Sequence, residues 1–200
     1  MSMIIGVGIL REPTPNNPIF VYIEWNLSCI SYFKRNVAKE VLTFFMRECA
    51  RRTTIGERRS VTNDDGTCHC WGTSSGLKIA ILSIHNYPER VAFSLAMKVA
   101  QSFEALHPLS STTITQDFMV ESNGFSALIA QYQDPFAADP IEHSLVDLEE
   151  VQKILVSTLA ELVERDGKLD DLLRKSNDLS ENSKAFFLNS KNQNSCCVLF

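Results

Sequence analysis

Cysteine supplies the most distinctive chemistry in this 200-residue chain, and its six cysteines fall into two kinds of setting. At the C-terminus, Cys197-Val198-Leu199-Phe200 has the form of a prenylation box: a thiol that can form a thioether, two aliphatic residues and a terminal selector. A polar lead-in over residues 189–195 gives a modifying enzyme access, and a terminal Phe favours a geranylgeranyl group. One prenyl chain holds a protein to a membrane only marginally, and stable anchoring takes two signals. Cys196, beside the box, is the natural second acceptor. Cys29 and Cys49 stand in apolar surroundings and read as small core residues. Cys68-His69-Cys70 offers metal-ligand types. On a strand, however, its two thiols point one way and its imidazole the other, and no second ligand pair follows at zinc spacing. The sequence shows no Ser/His/Asp or Cys/His constellation, phosphate loop or paired carboxylates. It therefore predicts no catalysis, and no cofactor beyond covalent lipids.

A second chemical group is a charge in the wrong place. Over residues 141–193 apolar residues recur in alternating steps of three and four, the period of a helix that supercoils on partner helices. Ile141, Ser144, Leu148, Val151, Leu155, Thr158 and Leu162 lie before Arg165 on this seam; Leu169, Leu172, Ser176, Leu179, Ser183, Phe186 and Ser190 lie after it. Arg165 sits squarely on the stripe. A buried guanidinium is costly unless groups desolvated with it supply hydrogen bonds, and such residues are best known as register-setters. The seam is also weak, with Thr158 and several serines in core positions and Gly167 near the middle. Such a segment is expected to fold on partners.

The run from Leu162 through Arg165-Asp166-Gly167-Lys168-Leu169 to Leu172 resembles the centre of an R-SNARE, and the Cys196-Cys197 tail resembles its lipid-anchored longin-domain branch within the synaptobrevin family. The resemblance implies that residues 141–194 give one helix to a parallel four-helix bundle with three glutamine-type helices of partner proteins. Arg165 would then form the central layer. Core layers would fall at Ile141, Leu148, Val151, Leu155, Thr158, Leu162, Leu169, Leu172, Leu179 and Phe186. It implies a prenyl group on Cys197 and palmitoyl, or a second prenyl, on Cys196. The terminal Phe200 departs from the family's common Met, which directs farnesyl, so both prenyl lengths stay open. Implied partners are glutamine-type SNAREs, a membrane reached through the lipids, a prenyltransferase and the SNARE disassembly machinery.

The rest of the chain must position these groups. Residues 3–10 and 19–25 read as strands, dense in Ile and Val, with Gly6 and Gly8 allowing close backbone approach. Asn36 is placed to cap a helix over 36–51 whose apolar face carries Val37, Val41, Phe44, Phe45 and Cys49. Strands follow at 58–62, 67–72 and 77–84, joined by Asn63-Asp64-Asp65-Gly66 and Ser74-Ser75-Gly76 turns. Tyr87-Pro88 opens a helix reaching Leu106, and another runs over 122–132. Arg51-Arg52 and Arg58-Arg59 read as exposed loop charges. The order is that of an α+β fold, a five-stranded antiparallel sheet covered by helices, and it resembles a longin, profilin-like domain. Asn86-Tyr87-Pro88-Glu89-Arg90 carries that resemblance. Pro135 and Pro140 interrupt helix continuity, so the expected organisation is a longin domain over 1–133, a linker over 134–140, a helical SNARE segment over 141–194 and a lipidation tail over 195–200.

Composition sets the outer limits. A formal net charge of −5 offers no basic surface for nucleic acid. No leader and no apolar run long enough for a membrane span stand in the sequence, which predicts the cytosol and the cytosolic face of Golgi, vesicle and other endomembranes. The function expected is vesicle docking and fusion in ER–Golgi, intra-Golgi and endolysosomal transport; the alternative is a lipid-anchored longin adaptor that sorts without fusing. Bare seam leucines and a prenyl chain cannot stay exposed on a monomer. The longin domain is therefore expected to fold the SNARE segment or lipid onto its first helix, in a groove at Val41, Phe44 and Phe45. Phe44 reads equally well as a plain core residue.

Overall fold

A computed structural model describes residues 3–63, 66–107, 117, 125–138, 154–159, 161 and 169–185. Strand β1 (Ile4–Thr14) turns through Pro15-Asn16 into β2 (Asn17–Trp25), with Asn16 in the left-handed region at φ 62°. A 3-10 turn at Tyr32–Lys34 leads into helix α1 (Arg35–Arg51). Strands β3 (Arg58–Asn63), β4 (Gly66–Gly72) and β5 (Leu77–Ser83) follow. Then come α2 (Glu89–Leu106), α3 (Ser126–Gln131), α4 (Pro135–Ala138), β6 (Ile154–Thr158) and α5 (Leu169–Lys175). Residues 181–185 form one further helical turn.

The strands lie in the order β2-β1-β5-β4-β3-β6. The class is α+β as expected, but the sheet has six strands rather than five. Its last pairing is parallel, with Arg58 opposite Ile154 and Thr62 opposite Thr158. The first five strands pair antiparallel. β5, in the middle, is buried along its whole length, because both of its faces are covered.

Alternation along the strands sends side chains into two cores. Ile5, Leu10, Cys68, Cys70 and Leu82 meet Ala38, Leu42, Phe45, Met46 and Cys49 of α1 on one face. Val7, Ile9, Val21, Ile79 and Ile81 meet Val91, Leu95, Val99 and Phe103 of α2 on the other. Gly6 and Gly8 are needed where these layers touch. A Cβ at Gly6 would lie 2.7 Å from the Trp25 ring, and one at Gly8 would lie 2.9 Å from the Met46 sulfur. The far end of the domain is clamped by Gln133, whose Oε1 accepts from the Met3 amide at 2.7 Å while its Nε2 donates to the Ile4 carbonyl at 3.0 Å.

Several expectations need correction. Asn36 does not cap α1; Lys34 occupies the N-cap and supplies no side-chain hydrogen bond. The linker holds a helical turn, α4, because Pro135 lacks only an N–H that a first-turn residue does not need, and Asp134 Oδ1 accepts from Phe136 at 3.0 Å. The helix expected over 122–132 is α3 over a shorter span, with residues 118–124 outside the described ones. The paired arginines are not free loop charges. Arg51 and Arg52 both bond Glu48, Arg59 bonds Glu57, and Arg58 lies 5.9 Å from the Trp71 ring centroid and 5.8 Å from that of Phe93. Glu48 is buried, and a buried carboxylate demands such partners.

The largest correction concerns the segment expected to be one long helix. Among the described residues it is a strand over 154–158, a helix over 169–175 and a helical turn over 181–185. Ile154-Leu155-Val156-Ser157-Thr158 contains three β-branched residues, and β3 presents it with an unpaired edge. Without partner helices to cover the heptad seam, main-chain hydrogen bonds to that edge are the better alternative.

Candidate functional site

The site is the face of α1 that turns away from the sheet, together with the β3 edge. A helix with two apolar neighbours needs two stripes. Ala38, Leu42, Phe45 and Cys49 follow the sheet, whereas Phe44, Arg47, Glu48 and Arg51 step along the other side at helical spacing. The second stripe lines a cleft of about 410 Å³ whose opposite wall is Leu172, Lys175, Ser176, Asn177 and Asp178. Two separated parts of the chain therefore meet there.

Apolar contact and hydrogen bonds both hold them. Leu159, Leu173 and Leu179 are 6 %, 0 % and 4 % exposed and belong to the same buried cluster as Val41, Phe44 and Phe45; Leu172 packs half-buried against it. Burying one leucine side chain is worth roughly 1.5–3 kcal/mol before the cost of ordering the segment is subtracted. Arg47 is the polar centre. Its Nε donates to Asp178 Oδ2 at 2.7 Å and its Nη2 to Asp178 Oδ1 at 2.8 Å, a bidentate fork. The same guanidinium reaches Asp117 Oδ2 at 2.7 Å and the Pro18 carbonyl at 2.6 Å, and lies 4.8 Å from the Phe20 ring centroid. Burial works against its charge, but the bonds to Asp178 and Asp117 outweigh it and hold its pKa above the ordinary value.

A second polar contact lies one helical turn from Phe44. The Ser180 amide donates to Glu40 Oε2 at 2.7 Å, and this bond holds the Glu40 carboxyl below its usual pKa although partial burial pushes the other way. Ser180 also starts the last helical turn, accepting from the Ser183 amide at 3.3 Å. At the end of β6, Thr158 and Glu161 form a reciprocal capping box: the Thr158 amide donates to Glu161 Oε2 at 2.9 Å, and the Glu161 amide donates to Thr158 Oγ1 at 3.2 Å.

The expected site residues divide accordingly. Val41, Phe44 and Phe45 are all buried, but Phe45 packs towards the sheet with Ile5, Leu42 and Leu82, so it belongs to the core and not to the groove. Phe44 is the groove residue. Leu172 and Leu179 reach the groove, while Leu155 is 38 % exposed and Thr158 also faces out, so the heptad seam is not what β6 buries. Leu169 is helical in its backbone. Ile141, Leu148, Val151, Leu162, Arg165, Phe186, Cys196 and Cys197 lie outside the described residues. Sequence reasoning missed Arg47, Glu40 and Asp178, whose partners stand 131 or more residues away. It also passed over Thr158-Leu159-Ala160-Glu161, although Thr-x-x-Glu is a legible helix-start signal.

The central cysteines behave as core. Cys68 and Cys70 lie in the α1-side cluster. His69 points the opposite way, between Ser60 Oγ at 2.9 Å and Ser83 Oγ at 3.1 Å, with its ring edge-on to Phe93. Burial lowers its pKa to about 4 and pushes the Cys70 thiol up to about 12, with neighbouring Cys68 adding to the latter. At neutral pH the imidazole is neutral and Cys70 is a thiol, a poor nucleophile. Among the described residues no helix is long and apolar enough to cross a membrane.

Comparison with known proteins identifies both parts of the chain. The longin family profile, described as a regulated-SNARE-like domain, matches residues 27–129, and the synaptobrevin profile matches residues 141–197. The chain is 35 % identical over 197 residues to the putative synaptobrevin homolog YKT6 of Dictyostelium discoideum, covering 97 % of this chain and 98 % of that one. It is 34 % identical over 198 residues to the synaptobrevin homolog ykt6 of Schizosaccharomyces pombe, covering 97 % and 98 %. With the synaptobrevin homolog YKT6 of Yarrowia lipolytica it shares 34 % over 200 residues, covering 96 % and 97 %.

Proposed function

This chain belongs to the Ykt6-type longin R-SNAREs, a non-enzymatic family of vesicle trafficking that works with SNARE partners, and from that premise we propose that its longin domain holds its own SNARE segment inactive until partners claim it. The observation that carries this reading is the seating of residues 154–159 and 169–185 on α1 and the β3 edge, with Leu173 and Leu179 buried and Asp178 forked by Arg47. A segment paired as a strand cannot at the same time be one continuous bundle helix. Release converts the strand to helix and uncovers Leu172 and Leu179 of the seam.

In the released state residues 141–194 join three glutamine-type helices in a parallel bundle, and Arg165 donates to the three glutamines at its centre. Its value is register, since an ion or dipole cluster at the core gives alignment at some cost in stability. Lipids on Cys197 and Cys196 fix the C-terminal end to a membrane, so zipping towards that end draws two bilayers together. Prenyltransferase and the disassembly machinery complete the cycle. The compartments are the cytosol and the cytosolic face of endomembranes, in ER–Golgi, intra-Golgi and endolysosomal transport. The only non-protein groups are the covalent lipids.

Leu173 provides the test, because it is 0 % exposed in the groove yet adjacent to the heptad seam and not on it. Leu173→Ser removes groove contact without deleting a bundle layer. Expected are faster amide exchange over residues 154–185, an unchanged sheet by circular dichroism, and greater capture of glutamine-type SNARE segments. Phe44→Glu attacks the same contact from the longin side. Unchanged exchange and capture in both variants would refute the held arrangement.

A further inference from the structure

We propose that the Tyr32–Lys34 turn and the start of α1 form a contact site for an anionic lipid surface, independent of the C-terminal lipids. Tyr32 and Phe33 are 77 % and 92 % exposed, side by side, with their rings edge to face at a centroid separation of 5.8 Å. Large aromatic rings presented in this way to water are unfavourable unless something covers them. Both stay bare while residues 169–185 occupy α1, so the described part of the SNARE segment does not cover them.

Charge identifies the cover. Lys34, Arg35 and Lys39 are the charged residues between Glu24 and Glu40, so a chain of net charge −5 carries three cations and no carboxylate through this stretch. Their place in the helix is a second, independent sign. Lys34 is the N-cap and Arg35 the first residue of a 17-residue helix, with no acidic residue in its first turn and no side-chain cap. Cations at a helix N-terminus oppose the macrodipole, while the preceding turn accepts from the first amides, Lys34 donating to the Ser31 carbonyl at 2.9 Å and Arg35 to that of Tyr32. The repulsion between these cations and the macrodipole is relieved beside an anion. Arg35 braces the aromatic pair, donating from Nε to the Ile30 carbonyl at 3.1 Å and lying 5.9 Å from the Tyr32 ring centroid. Aromatic rings with adjacent cations suit the headgroup boundary of a bilayer, where rings enter the interface and cations meet lipid phosphate. A surface of this kind would orient the longin domain at the membrane whether or not the SNARE segment is released.

The experiment uses the full chain with Cys196→Ser and Cys197→Ser, so that no attached lipid contributes, and sedimentation with vesicles. Expected is association with vesicles of equal phosphatidylcholine and phosphatidylserine, weakened by salt and much weaker with phosphatidylcholine alone. Tyr32→Ser with Phe33→Ser should lower it roughly tenfold or more. Lys34→Gln and Arg35→Gln should each lower it about fivefold. Circular dichroism checks that each variant keeps the fold. Absence of association with the anionic vesicles, or association untouched by both pairs of substitutions, overturns the proposal. So does vesicle-free self-association that Phe33→Ser abolishes, which would place a second copy on the patch.

Discussion

Asp178→Ala isolates the polar lock of the groove. Arg47 keeps Asp117, the Pro18 carbonyl and the Phe20 ring after this change, so the longin domain loses nothing of its own. What disappears is a fork of two charge-assisted bonds at 2.7 and 2.8 Å between side chains that are 11 % and 13 % exposed. Hydrogen bonds to charged groups contribute roughly 1.5–3 kcal/mol each, whereas exposed ion pairs contribute less than about 1 kcal/mol. This pair is mostly but not wholly buried, and its cation remains partnered, so about 2 kcal/mol for the whole contact is the reasoned figure. That shifts the ratio of seated to released segment about thirtyfold. Amide exchange reads it directly. The Ser180 amide, bonded to Glu40, should exchange about thirtyfold faster, whereas amides of β4 and β5 should not change. Unaltered exchange at Ser180 would refute the assignment of Arg47–Asp178 as a lock. An equal rise across β4 and β5 would show that the substitution had destabilised the whole domain instead.

Three other outcomes are expected. Arg165→Ala should impair assembly with glutamine-type SNAREs and liposome fusion while leaving the free protein's thermal unfolding nearly unchanged; fusion at the wild-type rate would remove Arg165 from the bundle centre. Cys197→Ser should abolish stable membrane fractionation and Cys196→Ser should weaken it, since one chain anchors only marginally; a Cys197→Ser form that still fractionates with membranes would contradict the lipid anchor. The Glu40–Ser180 contact should weaken in acid. The seated state holds the Glu40 pKa down, so its contribution is full above the ordinary carboxylate range and is lost as pH falls through the lowered value. Ser180 exchange against pH should show this dependence, and Glu40→Gln should flatten it.

Much of the domain was legible because its signals are local. Runs dense in Ile and Val gave β1 and β2, helical spacing of apolar residues gave α1, and Asn63 and Gly76 marked turns that the structure contains, Gly76 at φ +84°. The opposed faces of Cys68-Cys70 and His69 follow from strand geometry alone. The start of α1 was less legible: Asn36 has the chemistry of a cap, but the 3-10 turn at Tyr32–Lys34 starts the helix two residues too early to use it. Arg51 and Arg52 were misplaced although Glu48 stands three and four residues before them, and Arg59 although Glu57 stands two before it; these pairings are local and the spacing carried them.

Residues 154–158 mark the limit of sequence reading most clearly. Their heptad spacing specifies a helix and their Ile, Val and Thr content favours a strand, so local preference does not decide between them. The decision rests with whatever offers backbone or apolar partners: the β3 edge in this chain alone, three other helices in a bundle. In the same way Leu173 is unremarkable as a sequence position and fully buried in the fold, while Leu155 lies on the seam and stands 38 % exposed. By itself the sequence determined the two periodicities and the chemistry of its charged and thiol groups, because these are properties of neighbours along the chain. Only the tertiary structure decided which face the segment shows and that Arg47 meets Asp178, because those contacts join residues 131 positions apart and exist only after the sheet has brought them together.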